Sequence, residues 1–240
     1  VIVNNGDTVN FTDITVKNFS TVTGAITSAG DISICAENFD TLFESDINFN
    51  SDEDITLSLI ANKEHSVTID SAINVEPDTP LTLVLNKGSD SGTINLALNS
   101  NIGSAKNMIK QTVINGGTLD MSNSVCTTVY TNTLAISNDT NFIFDIDIEN
   151  KKSDKISTHR QRSKDGEYHF VLNKDSFNGL DTSKTNYVVK VKLLEIFDST
   201  KNYIKFVNDQ GQEVNILNLY TADDGITYYA RHGLNGAVII

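Results

Sequence analysis

The apolar segments of this chain are short, alternating and numerous, and this limits its folds more than any other feature. Ile32-Ser33-Ile34, Ile47-Asn48-Phe49 and Ile55-Thr56-Leu57-Ser58-Leu59 are followed by Val67-Thr68-Ile69, Leu81-Thr82-Leu83-Val84-Leu85 and Ile94-Asn95-Leu96-Ala97-Leu98. Each places apolar side chains on one face of an extended strand and small polar ones on the other. Turn-forming runs separate them, such as Ser51-Asp52-Glu53-Asp54, Asn86-Lys87-Gly88-Ser89-Asp90 and Asn115-Gly116-Gly117. No segment keeps a 3.6-residue apolar period for three turns. The best helical candidate, Ile102 to Ile109, is interrupted by Gly103 and Asn107. Little helix is expected.

Many short strands suit a sandwich, a barrel or a solenoid. Three features favour the solenoid. The strands are very short, and tight Asn-Gly or Asp-Gly hairpin turns are rare. The outward positions are dominated by Asn, Thr and Ser, which stack as ladders; the chain holds 28 Asn in 240 residues. The expected fold class is all-β, a right-handed parallel β-helix. Ile47/Phe49 and Val67/Ile69 suggest a rung of roughly 20 residues, a typical solenoid period, although a strict repeat is absent. With strands about 4.8 Å apart, Cys35 and Cys126 then sit some four rungs, or about 20 Å, from each other. That is far beyond the ~7 Å a disulfide tolerates. Two free, inward-facing thiols are expected.

Charge divides the chain. Residues 1–150 carry 5 Lys/Arg against 20 Asp/Glu, and residues 151–240 carry 13 against 11. The shift suggests a boundary, so residues 1–156 are expected to form β-helix rungs and residues 157–240 a C-terminal capping β segment. With a net charge of −13, nucleic acid is excluded as a partner recognised through the overall field. No apolar run approaches the ~18 residues of a membrane helix, so direct membrane insertion is not expected. The start, Val1-Ile2-Val3-Asn4, lacks an initiator Met and a signal peptide, as in a processed protein or fragment.

From 114 to 156 the text is more specific. It reads Ile-Asn-Gly-Gly-Thr-Leu-Asp-Met over 114–121 and Asn-Thr-Leu-Ala-Ile-Ser-Asn over 132–138. Asn-Phe-Ile-Phe-Asp-Ile-Asp-Ile follows over 141–148, then Ser-Asp-Lys-Ile over 153–156. This resembles the C-terminal passenger region of autotransporters, the type V secreted proteins with pertactin-like β-helices. Those show a Gly-Gly-Thr-Leu rung, an apolar rung, an aromatic Asp-x-Asp strand and a loop ending in Asp-Lys-apolar. The apolar stretch 187–197 and Ile226-Thr227-Tyr228-Tyr229-Ala230 add to the likeness. The resemblance implies a passenger displayed on the bacterial outer surface or secreted, with a C-terminal segment that caps the helix and assists its folding. The implied function is that of an adhesin, stalk or matrix component. Its partner would be a protein or glycan on a host or neighbouring cell, and self-association is open to it. The family's Trp-rich final strand is not matched, since the chain has no Trp.

Two clusters carry candidate chemistry. Asp145, Asp147 and Glu149 alternate with Phe144, Ile146 and Ile148, so three carboxylates share a strand face. Such a row could hold Ca²⁺ or serve a glycosidase. The plainer expectation is a solvated outer face over an inner face of Phe142, Phe144, Ile146 and Ile148, and no catalytic residue or cofactor is assigned. The second cluster is basic: Lys151, Lys152, Lys155, Arg160, Arg162 and Lys164. It is expected as a mobile, solvated, exposed loop at the charge boundary, which could also contact an anionic glycan or be a processing site. His65, His159, His169 and His232 are scattered, with no metal-ligand spacing, and are expected to be exposed or locally hydrogen-bonded. Nucleophile, P-loop and dinucleotide motifs are absent. The chain is therefore expected not to be an enzyme. The alternatives are a tailspike-like polysaccharide lyase or glycosidase, since the fold permits catalysis, and a subunit of an extracellular filament or layer.

Overall fold

A computed structural model describes residues 9–11, 14–17, 21–22, 25–122, 126–163, 168–184, 189–196, 204–221, 223–225, 227–233 and 237–240. The chain winds through three sheets in turn and returns to the first one coil further on. The first sheet stacks Val9–Phe11, Ile26–Ser28, Ile47–Phe49 and Ile73–Val75. The second has eight strands, running from Ile14–Lys17 through Ile55–Ala61 and Thr128–Ile136 to Leu194–Ile196. The third has nine, running from Thr21–Val22 through Gly117–Asp120 to Ile204–Val207, with Glu213–Val214 added antiparallel at its end. Every other pairing within these three sheets is parallel. The fold is an all-β parallel solenoid, as the strand pattern requires. Its one helical element among the described residues is the 3₁₀ turn Lys174–Ser176. The stretch from Ile102 to Ile109 is not helical; both isoleucines are buried and bridge to the strand Thr128–Ile136.

Period-two alternation becomes columns of like residues, because parallel strands in register stack the same face on the same face. Ile34, Leu59, Leu85, Ile114 and Ile136 form one such column in the second sheet. Ile26, Ile47 and Ile73 form another in the first. All are essentially solvent-free, and a single core runs from Ile26 to Ile240. The outward positions stack too. Asn74 Nδ2 donates to Asn48 Oδ1 at 2.8 Å, and Asn95 Nδ2 to Thr68 Oγ1 at 3.0 Å. The coil is longer than the 20 residues expected. Asn48 and Asn74 are 26 residues apart, Asn86 and Asn115 are 29, and Asn115 and Ser137 are 22. Ile47 stacks on Ile73, not on Val67, which belongs to the third sheet. The step of 20 joins two faces of one coil. Corner loops of unequal length take up the rest, which is why no strict repeat is visible.

Asn86 shows how a corner closes. It is 1% exposed, with φ of 65°, a left-handed conformation that Asn tolerates. Its Oδ1 accepts the Ala61 N–H at 3.1 Å, and its Nδ2 donates to the carbonyls of Gly92 at 3.1 Å and Gly116 at 3.0 Å. One amide thus satisfies backbone groups on three successive coils. Gly117 must be glycine here: φ is 75°, and a Cβ would lie 2.4 Å from the Gly92 carbonyl oxygen.

The charge shift is not a fold boundary. The division at 156/157 falls inside the strand Lys155–Ser163, which pairs with Thr128–Ile136 over eight residues. The coils continue to Ile204–Val207. Beyond them, Ile216–Thr221, Thr227–His232, Ala237–Ile239 and Lys190–Lys192 form a separate antiparallel sheet. Its inner face sends Leu217, Leu219, Ala230 and Val238 into the common core. The Tyr228 hydroxyl donates to the Thr182 and Lys184 carbonyls, tying the sheet to the preceding loop. No helix among the described residues is long and apolar enough to cross a membrane.

Candidate functional site

The carboxylate row lies where the alternation puts it. Phe142, Phe144, Ile146 and Ile148 are fully buried, and Asp145, Asp147 and Glu149 face outward. Their surroundings differ. Ile146–Asp147 pairs antiparallel with Lys152–Ser153, closing a tight turn. In that turn Asp147 Oδ1 accepts the Asn150 N–H at 3.0 Å and Oδ2 accepts its side-chain amide at 2.7 Å. These bonds hold the Asp147 carboxyl below its ordinary value. Asp145 is half-covered. Burial first, then the charges of Asp154 and Asp120, push it up to about 6.

Asp154 organises this region, although in the sequence it appears only as part of a short motif. It is fully buried. Its Oδ1 accepts the Thr127 N–H at 3.0 Å and its Oδ2 the Asp145 N–H at 2.8 Å. The Asp154 N–H in turn donates to the Asp145 carbonyl at 3.0 Å. One carboxylate thus fixes the starts of two long stacked strands. The Asp-Lys-apolar motif was the available signal, but its partners lie 9 and 27 residues away. Beside it, Cys126 has φ of 47°. Burial, then the Asp154 charge, raises its thiol to about 11, which removes the thiolate that reactivity needs.

Among the described residues no group of three or more His, Cys, Asp or Glu is arranged to hold a metal ion. The row of Asp145, Asp147 and Glu149 is not drawn together into a cation site. What it can do is limited proton chemistry: Asp145, pushed up to about 6, precedes the two-residue strand Ile146–Asp147, whose Asp147 is held ionised.

Of the basic cluster, Lys151 lies in a turn, and the other described members lie in strands rather than a loop. Lys152 and Lys155 to Arg162 lie in strands, because Lys155–Ser163 completes a ladder begun by Thr128–Ile136. Lys151, Lys152 and Arg160 are exposed and Lys155 is half-buried. Lys164 lies outside the described residues, as does the side chain of Arg162. Backbone held in a ladder is a poor protease substrate, so the processing role loses its basis over this stretch.

His159 is exposed, His65 lies 3.6 Å from Asp40, and the side chain of His169 is not described. His232 departs from expectation. Its ring packs on Phe206, centroids 4.6 Å apart, and its Nδ1 is buried with no hydrogen-bond partner among the described residues. Burial lowers its pKa. Both cysteines are free, as the separation argument requires. Neither points inward into the core, however. Cys35 is covered on the outer face, with its Sγ 3.4 Å from Ser33 Oγ, and Cys126 sits half-buried in a turn. A scan of protein-family models, a search of curated proteins and a search of solved structures each found no match.

Proposed function

We propose that this chain is a non-catalytic passenger segment, displayed on the outer surface of a bacterium or secreted from it, that acts as an adhesin, stalk or matrix component. One observation supports this above others. The stretch 114–156, which resembles autotransporter passengers, forms consecutive coils of a parallel solenoid, and an antiparallel sheet follows. A solenoid offers long lateral faces to a protein or glycan partner. Protease treatment of intact source cells tests this, together with the codons that follow Ile240. Cleavage on whole cells and a downstream membrane barrel are expected. A protein protected until lysis would contradict the proposal.

A second reading, a polysaccharide-degrading enzyme, draws support from Asp145 and Asp147, whose protonation is pushed in opposite directions. Turnover of any polysaccharide that Asp145→Asn or Asp147→Asn abolishes would establish it and displace the passenger reading.

A further inference from the structure

Where the parallel coils give way to the antiparallel sheet, a half-open groove of about 590 Å³ remains. This is well within the ~300–1,000 Å³ of small-molecule sites. Its floor is apolar, formed by Ile148, Phe177, Leu180 and Leu219, and Tyr220 stands at its lip. Lys174, Asp175 and Asn178 line its polar side.

Three features mark it as a binding site. First, Lys174, Asp175 and Asn178 line the groove and are exposed, so their side-chain donors and acceptors are accessible to a ligand. Second, the walls are braced. Asn173 Oδ1 accepts the Asp175 N–H at 2.9 Å and the Ser176 N–H at 3.2 Å, and the Tyr228 hydroxyl holds the Thr182 carbonyl at 3.1 Å. A braced site loses little freedom on binding. Third, Tyr220 is 42% exposed, with one side of its ring set against Tyr228 at 6.3 Å between centroids. The rest of the ring is open to a ligand.

We infer that this groove binds a short neutral oligosaccharide. A pyranose has an apolar C–H face and an edge of paired hydroxyls. The first matches the Tyr220 ring and the apolar floor. The second matches a carboxylate and a carboxamide, each able to engage two neighbouring hydroxyls. Asp175 and Lys174 offset each other in charge, and the chain's net −13 repels polyanions. A neutral saccharide is therefore favoured over a sulfated or uronate-rich one. The assignment deepens the surface-passenger reading and rests on it for a cell-surface glycan as the source.

Saturation-transfer NMR and titration of the intact chain test it, with maltotriose, cellotriose, lactose and chitotriose as probes and heparin and polygalacturonate as polyanionic controls. At least one neutral probe is expected to bind. Tyr220→Ala and Asp175→Asn, both at exposed positions, are each expected to weaken it tenfold or more with an unchanged Tm. Arg160→Ala is expected to leave it unaltered. Binding of no neutral probe, binding of the polyanions alone, or neutral binding indifferent to both groove variants would overturn the assignment. Surface display is read separately, by whole-cell proteolysis. Failure of the groove leaves that result standing, and a protected protein whose groove still binds refutes only the passenger reading.

Discussion

Single side chains close the corners of this solenoid, and Asn86 does the most. Removing its amide strands the buried Ala61 N–H and the Gly116 carbonyl, and leaves the Gly92 carbonyl with the Thr118 N–H alone. Asn86→Ala also places an alanine at a φ of 65°. Unsatisfied buried groups cost about 1–3 kcal/mol each, so a loss of about 3 kcal/mol or more is expected by urea denaturation. Asn86→Gly, which relieves the backbone, should recover only a small part. An equal recovery would mean that the conformation, not the hydrogen bonds, matters here. Thr112 carries the opposite lesson. It stacks between Leu83 and Leu134 in the core, and its hydroxyl has no partner among the described residues. Thr112→Val should stabilise the chain by roughly 1 kcal/mol; destabilisation would reveal a partner for that hydroxyl. That Asn and Thr form outward ladders was legible from alternation alone. That one Asn turns into a corner was not, since its partners on the neighbouring coils lie 25 and 30 residues away.

At the scale of elements, the turn from Asp145 to Lys155 leads from Thr140–Ile143 into the nine-residue strand Lys155–Ser163 and gives the chain a pH signature. Asp145 titrates near 6 when folded and lower when unfolded. The folded state therefore binds the extra proton. The stability this contributes is full below the unfolded value and is lost as pH rises through about 6. Asp145→Asn removes the penalty of the ionised form. The variant should exceed the wild type in Tm at pH 7.5 and match it near pH 4; a lower Tm at both would show that the carboxylate makes a needed bond. His232 acts in the other direction. Its folded pKa is depressed, so its contribution is present above the ordinary histidine value and is lost as pH falls below it. His232→Phe should flatten the loss of stability between pH 7 and pH 5. The inward aromatics of this element were readable from sequence. The burial of Asp154 and the extension of Lys155–Ser163 as a strand were not, because a basic, polar run has no apolar period and is ordered only by its neighbour coil.

At the scale of the whole molecule, each coil rests on its neighbours, so the ends decide whether the stack persists. The C-terminal antiparallel sheet brings Leu217, Leu219, Tyr228, Ala230 and Val238 under cover, and six of the seven tyrosines follow residue 157. Residues 151–240 carry 13 basic against 11 acidic groups, so collapse there meets little self-repulsion. The acidic coils, with 5 against 20 in residues 1–150, meet more. We propose on these grounds that the C-terminal coils and the antiparallel sheet hold the rest in register. Hydrogen exchange of the intact chain, followed by mass spectrometry in rising urea, reads this directly. Slowest exchange is expected in Lys155–Ser163, Ile204–Val207 and Thr227–His232, with protection falling coil by coil toward Ile26–Ser28. Earlier opening of the C-terminal segment, with Ile55–Ala61 and Leu81–Leu85 still protected, would contradict it.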